Sequence, residues 1–290
     1  MLMEPKQSLA AVSETALGMA LIRAEESLRP DCLFDDPHAE AFLAAAPEAF
    51  ADRDGATTDP AVLEAVFSVF RFQGVIRTRF FDDHLLAACA SGCRQVVLLA
   101  AGLDTRAYRL AWPPGLRVFE LDLPEVLTFK DHVLAGRRAS PRCKRTTVPA
   151  DLVQDWPSRL AAAGFEPTQP TAWLAEGLLV YLSAPEVARL LTLIGDLSAR
   201  QSQLFFEHGD IADSFLLAQA GTMPGMEQFS ALWKGGLGPD APKRLTQGGW
   251  NVTTHDPKAL AERHSRAVPR HARGEFITAV RNDRRRHVVE

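Results

Sequence analysis

The feature that most constrains this chain is an alternation that begins at Gln95. Short, nearly continuous apolar runs stand at Gln95–Ala100, Arg117–Asp122 and Thr171–Tyr181, with weaker ones at Thr146–Ala150 and Gln203–Glu207. Such runs read as strands buried on both faces. Stretches with helical spacing lie between them. Leu123-Pro124-Glu125 opens one that continues to about Leu134, and Asp155–Ala163 closes at Gly164. Pro185–Ala199 carries Val187, Leu190, Leu191, Ile194 and Leu197 on one face. This alternation predicts parallel βαβ units, whose right-handed crossovers cover both faces of a single sheet. The expected fold class is α/β with a doubly wound, Rossmann-like sheet.

Both flanks depart from the pattern. Before residue 92 the chain reads as helices: Ser13–Leu28, a segment from Asp36-Pro37 to about Ala45, one entered at Asp59-Pro60, and another over Gly74–Ala90. Residues from Asp210 to about Gly249 mix Phe215, Met223, Met226, Phe229 and Trp233 with Gly235, Gly236 and Gly238. This reads as a lid-like insertion over the sheet edge. Two last strands, Gly249–Thr254 and Glu275–Val280, are expected around a helix at Asp256–His264. A chain of 290 residues with 47% hydrophobic residues can bury one large core. The expected organisation is an N-terminal helical cap region (1–92) and a core (93–290) with an insertion at about 210–249, together one structural unit.

Composition excludes several classes. A formal charge of −4 does not attract a polyanion, so nucleic acid is not an expected partner. The basic stretch Arg281–Arg286 reads as a solvated tail. Cys89 and Cys93 share a helix face but match no zinc spacing, and no metal site is expected. Nor does the chain carry the three-cysteine cluster of an iron–sulfur centre. Reduced thiols and the lack of an apolar segment long enough to span a bilayer point to a cytoplasmic protein without a membrane partner.

The chemistry concentrates after the first strand. Gln95–Ala100 runs into Ala101-Gly102-Leu103-Asp104-Thr105, where a glycine lets the backbone turn sharply against a ligand. The next strand ends at Asp122, placed to accept hydrogen bonds from the ribose hydroxyls of an adenosine. The three-glycine fingerprint that cradles a pyrophosphate is missing. A nucleoside cofactor without phosphates, such as S-adenosylmethionine, suits this loop better than NAD.

The run from Gln95 to Leu110, reading QVVLLAAGLDTRAYRL, resembles the first motif of the leucine carboxyl methyltransferase family and its bacterial S-adenosylmethionine-dependent branch. Phe119–Pro124 with Lys130, Val148–Trp156 and Trp173–Leu182 resemble its second to fourth motifs. Arg77–Asp83 resembles the segment leading into the first. The resemblance implies a class I methyltransferase sheet and S-adenosyl-L-methionine as cofactor. It implies that Arg77 pairs with the cofactor's carboxylate and that Ala100 and Gly102 lie against its amino-acid part. Asp122 is then the ribose acid, Asp151 and Leu152 flank the adenine, and Glu176 lies near the ammonium. The family commonly carries Gly-x-Gly where this chain reads Ala100-Ala101-Gly102, and a Cβ at position 100 disfavours positive φ.

Read without the resemblance, Arg77 and Arg79 also fit as surface charges on a helix, Asp104 and Thr105 as helix caps, and Asp151 as a strand terminator. Glu176 in an apolar run needs a cation or several donors.

The implied reaction is O-methylation of a carboxylate or hydroxyl. A carboxylate acceptor needs no base, whereas a hydroxyl acceptor benefits from one. His208 is the first candidate base, with Tyr181 and Glu207 beside it and His84 more remote. The Met-, Phe- and Trp-rich insertion favours a small apolar acceptor, in keeping with secondary metabolism. Two other readings remain open at this stage: a non-catalytic cofactor-binding member of the same fold, and an NAD-dependent oxidoreductase. Oligomeric state is not legible.

Overall fold

A computed structural model describes residues 11–47, 60–208, 233–236 and 240–282. The N-terminal helices are α1 (Ala11–Ser27), α2 (Ala39–Ala45) and α3 (Pro60–Ala90). Then follow β1 (Gln95–Leu99), α4 (Arg106–Arg109), β2 (Arg117–Asp122), α5 (Pro124–Gly136), β3 (Lys144–Pro149), α6 (Trp156–Ala162) and β4 (Thr171–Ala175). The remainder comprises α7 (Ala184–Asp196), β5 (Gln203–His208), α8 (Ala241–Gln247), β6 (Trp250–His255), α9 (Pro257–Arg263) and β7 (Glu275–Arg281).

The seven strands form one sheet in the order β3-β2-β1-β4-β5-β7-β6. β1 to β5 pair in parallel, and β7 runs antiparallel to both β5 and β6. This is the doubly wound α/β sheet expected from the alternation. Its strand order reverses between β1 and β4, which opens a crevice at their C-terminal ends.

Period-two side-chain alternation builds two cores from the same strands. Val96, Leu98, Val118, Leu174 and Phe205 face α1 and α3, packing with Leu17, Phe81 and Leu85. Val97, Leu99, Phe119, Trp173 and Phe206 face the other side, against Trp156, Leu160, Val187 and Ile194. The central strands β1 and β4 are thus buried at every position because each face has its own layer of helices. Cys89 and Cys93 pack in the first core, where burial pushes their thiols up to about 12 and about 11.

Two expectations need correction. The separate helices expected from Asp59-Pro60 and over Gly74–Ala90 are one helix, α3, of 31 residues. Gly74 does not start a helix. A Cβ there would meet Met19 Cε at 2.8 Å and Ile22 Cγ2 at 3.0 Å, so the glycine lets α1 lie close against α3. Close packing here outweighs the roughly 1 kcal/mol that glycine costs inside a helix. The strand expected over Thr171–Tyr181 ends at Ala175, with a 3-10 turn at Leu179–Tyr181. Glu176 therefore stands just beyond the strand rather than within it. The stretch expected as an insertion ends in a helix, α8, packed on the second core through Ala241 and Leu245. Phe215, Met223, Met226, Phe229 and Gly238 lie outside the described residues, as do Arg284, Arg285 and Arg286.

Candidate functional site

A cavity of about 540 Å³ opens at the C-terminal ends of β1, β2, β4 and β5, beneath α1 and α3. Its wall is built where the strands stop. After β1 the chain turns through Ala100 at φ +50° and Gly102 at φ +45°. The Ala101 N–H donates to Leu121 O at 2.9 Å, extending the parallel ladder into the turn. Gly102 N–H donates to Asp122 Oδ2 at 2.6 Å, and Leu123 N–H to Asp122 Oδ1 at 2.7 Å. A Cβ on Gly102 would sit 3.6 Å from Ala16 Cβ, so backbone conformation rather than space requires glycine here. Burial pushes the Asp122 carboxyl above its usual range, and the two amides oppose that shift. A carboxylate accepts about four hydrogen bonds, so Asp122 keeps capacity for a diol.

A second wall carries charge. Arg77 on α3 donates from Nε to Glu176 Oε1 at 2.9 Å and from Nη1 to Glu207 Oε1 at 3.4 Å. Gly177, at φ +65°, also donates its N–H to Glu207 Oε1. Burial raises the Glu207 carboxyl, Arg77 opposes this, and Glu176 adds to it. Burial also acts to raise Glu176, but the guanidiniums of Arg106 and Arg77 outweigh it and leave that carboxyl below its usual value. Oε2 of Glu207 is buried without an aligned hydrogen-bond donor, and Oε2 of Glu176 lies 2.7 Å from Arg106 Nη1. The wall thus sets two carboxylates beside the Arg77 guanidinium, with Arg106 also against Glu176.

The N-terminal helices are wired into this wall. Arg23 on α1 donates to Asp36 Oδ2 and to Leu103 O, each at 2.8 Å. Thr105 Oγ1 donates to the same Asp36 oxygen at 2.7 Å, so Thr105 ties two segments together and makes no side-chain cap on α4. Asp104 does act as a local cap, accepting the Arg106 N–H at 2.6 Å.

The structure brings Arg77, Ala100, Gly102, Asp122, Glu176, Tyr181 and His208 to one cavity. Asp151 and Leu152 do not line it. Asp151 accepts instead from Val153 N–H at 3.0 Å and Gln154 Nε2 at 3.1 Å. Arg79 is partly exposed and pairs with Asp83 at 2.9 Å. His84 packs against Phe80 and His255, away from the cavity. Lys130 is fully buried and pairs with the equally buried Glu120 at 2.7 Å, so it holds α5 to β2. Sequence reasoning missed Arg106 and Asp82, because no local spacing marks them. The one signal was a charged residue inside the motif Asp104-Thr105-Arg106.

Among the described residues no helix is long and apolar enough to cross a membrane. A family model described as leucine carboxyl methyltransferase matches residues 16–195. A protein of Frankia alni, named "Putative S-adenosyl-L-methionine-dependent methyltransferase", is 49% identical over 274 residues, covering 94% of this chain and 95% of its own length. One of the same name from Parafrankia sp. is 47% identical over 278 residues, covering 94% and 88%. In fold, the chain is similar to the crystal structure of a "possible exported protein" from Bordetella parapertussis, with a TM-score of 0.52, 15% identity, and coverage of 97% of this chain and 100% of that one.

Proposed function

The chain belongs to the leucine carboxyl methyltransferase family, and from that premise we propose how its cavity works. It is an S-adenosylmethionine-dependent methyltransferase of the class I sheet type. The finer reading is O-methylation of a carboxylate or hydroxyl on a small, apolar metabolite. The observation that carries the cofactor reading is the joining of two groups of residues on one cavity: Asp122 with the Gly102 turn, and Arg77 with Glu176 and Glu207.

The donor set fits the cofactor. Asp122 offers a carboxylate to the ribose hydroxyls, Arg77 a guanidinium to the carboxylate, and Glu176 and Glu207 carboxylate oxygens to the ammonium. When bound, S-adenosylmethionine supplies a methyl group activated by a sulfonium. The protein's own task is to hold the acceptor in line and exclude water. Met19, Ile22, Phe67 and Phe70 from α1 and α3 supply an apolar wall for that purpose. For a hydroxyl acceptor, we assign proton removal to His208, with Tyr181 as the alternative on the same wall. Asp151 and Leu152 remain the proposed adenine contacts, reached by the loop after β3.

The dinucleotide reading finds no support in the loop. The first amide of α4 is taken by Asp104, and a carboxylate at that position repels a pyrophosphate. The free cysteines suit a cytoplasmic setting.

Thermal-shift titration tests the reading. S-adenosylmethionine and S-adenosylhomocysteine are expected to raise the midpoint by mass action, and NAD is not. A shift with NAD alone would overturn it. Transfer of labelled methyl to apolar hydroxyl and carboxylic acids then separates an enzyme from a non-catalytic binder.

A further inference from the structure

Behind the cofactor wall lies a buried ion cluster that the proposed chemistry does not use. Arg106, from the motif after β1, is 3% exposed. Its Nε donates to Asp82 Oδ1 at 2.7 Å, Nη1 lies 2.7 Å from Glu176 Oε2, and Nη1 also contacts Asp104. Asp82 is shared with Arg109, which donates from Nη2 at 2.8 Å. Asp82 sits on α3 one helical turn beyond Arg77 and Thr78. The cluster therefore joins α3, the turn after β1 and the end of β4.

This arrangement decides what Glu176 can do. Arg77 reaches only Oε1 of Glu176. Without a second cation, a carboxylate at this depth takes a proton or turns wholly onto Arg77. Either outcome removes the cavity's receptor for an ammonium and occupies the guanidinium meant for a carboxylate. Arg106 meets the other carboxylate oxygen, Oε2, at 2.7 Å. Its contact with Oε2 is close in charge but unaligned as a hydrogen bond, so it holds the carboxylate without saturating it. A guanidinium suits the role because one planar group can face three carboxylates, which an ammonium on a flexible stem cannot.

We propose that Arg106 is a positioning residue for the cofactor's amino-acid headgroup: braced by Asp82 and Asp104, it holds Glu176 ionised and turned so that Arg77 and Glu176 can divide a zwitterion between them. The proposal rests on the reading of Arg77 and Glu176 as the headgroup site.

The test compares two ligands by calorimetry on the full chain. S-adenosylhomocysteine carries the aminobutyrate headgroup, and 5′-methylthioadenosine lacks it but keeps the ribose and adenine. Wild-type protein is expected to prefer S-adenosylhomocysteine. Arg106→Gln should weaken that ligand about tenfold or more, the size of a lost charge-assisted contact, and leave 5′-methylthioadenosine within about twofold. Arg106→Lys, which keeps the charge and the fold, should restore part of the loss. The loss of S-adenosylhomocysteine affinity on acidification should also start at higher pH in Arg106→Gln, since Glu176 then protonates more readily. If Arg106→Gln does not fold, Arg106→Lys carries the same comparison, with a selective loss for S-adenosylhomocysteine expected. Equal loss for both ligands, or unchanged preference in both variants, would overturn the proposal. A wild-type protein that binds 5′-methylthioadenosine as tightly as S-adenosylhomocysteine would instead overturn the headgroup site itself.

Discussion

The carboxylate of Asp122 accepts the backbone N–H of Gly102 at 2.6 Å, closing the end of β2 onto the turn that leaves β1. One acid thus shapes the loop and faces the cavity. Asp122→Asn puts an amide where two N–H groups need acceptors. It should cost about 1–3 kcal/mol of stability from the unmet donor and weaken S-adenosylhomocysteine and 5′-methylthioadenosine alike. Calorimetry and thermal unfolding check this. Selective loss of one ligand would argue against a ribose role.

Ala100 holds φ +50° where glycine would be unstrained. The left-handed conformation costs an L-residue roughly 1–2 kcal/mol. Glycine relieves that but adds about 0.5–1 kcal/mol of chain entropy. Ala100→Gly should therefore raise stability by up to about 1.5 kcal/mol. Ala100→Val should lower it, because a β-branched side chain tolerates positive φ poorly. Denaturant midpoints in the reverse order would refute the strain argument.

Gly74 is where α3 receives α1, and a Cβ there would press on Met19 and Ile22. Both of those side chains also line the cavity. Gly74→Val should destabilise by about 1–3 kcal/mol through overpacking. It should also reduce ligand affinity by shifting α1. A variant of unchanged stability and affinity would show that the two helices slide freely.

Burial raises the Glu207 carboxyl, so the folded protein holds that proton more tightly than the unfolded chain. The contribution to stability is complete below the ordinary glutamate value and fades as pH rises through the folded one. Glu207→Gln removes that loss. The variant's melting temperature should gain on wild type as pH rises from about 5 to about 8, while its affinity for S-adenosylhomocysteine falls. A pH-independent gap between the two proteins would count against it.

Much of the fold was legible because its signals are local. β1 shows as four apolar residues in a row after Gln95, and α7 as a helical stripe behind the capping box of Ser183 and Glu186. Gly102 and Asp122 were legible as a site because both sit at strand ends, where a parallel sheet meets its ligand. The join between the two expected N-terminal helices was misread, because glycine's local meaning is a break and its meaning in α3 is a contact with α1. The end of β4 was misread because apolarity continues past Ala175 into a turn that also packs on the core through Leu178 and Leu179.

Local sequence was enough for the doubly wound sheet, the turn after β1 and the acid that ends β2, since each depends on residues near one another in the chain. Only the tertiary structure decided the charged wall. Arg77 meets Glu176 across 99 residues and Glu207 across 130. No spacing rule reaches that far: which charges neutralise one another in a buried site follows from which strand ends and helix faces the fold brings within a few ångströms, and a buried charge is tolerated only where that meeting occurs.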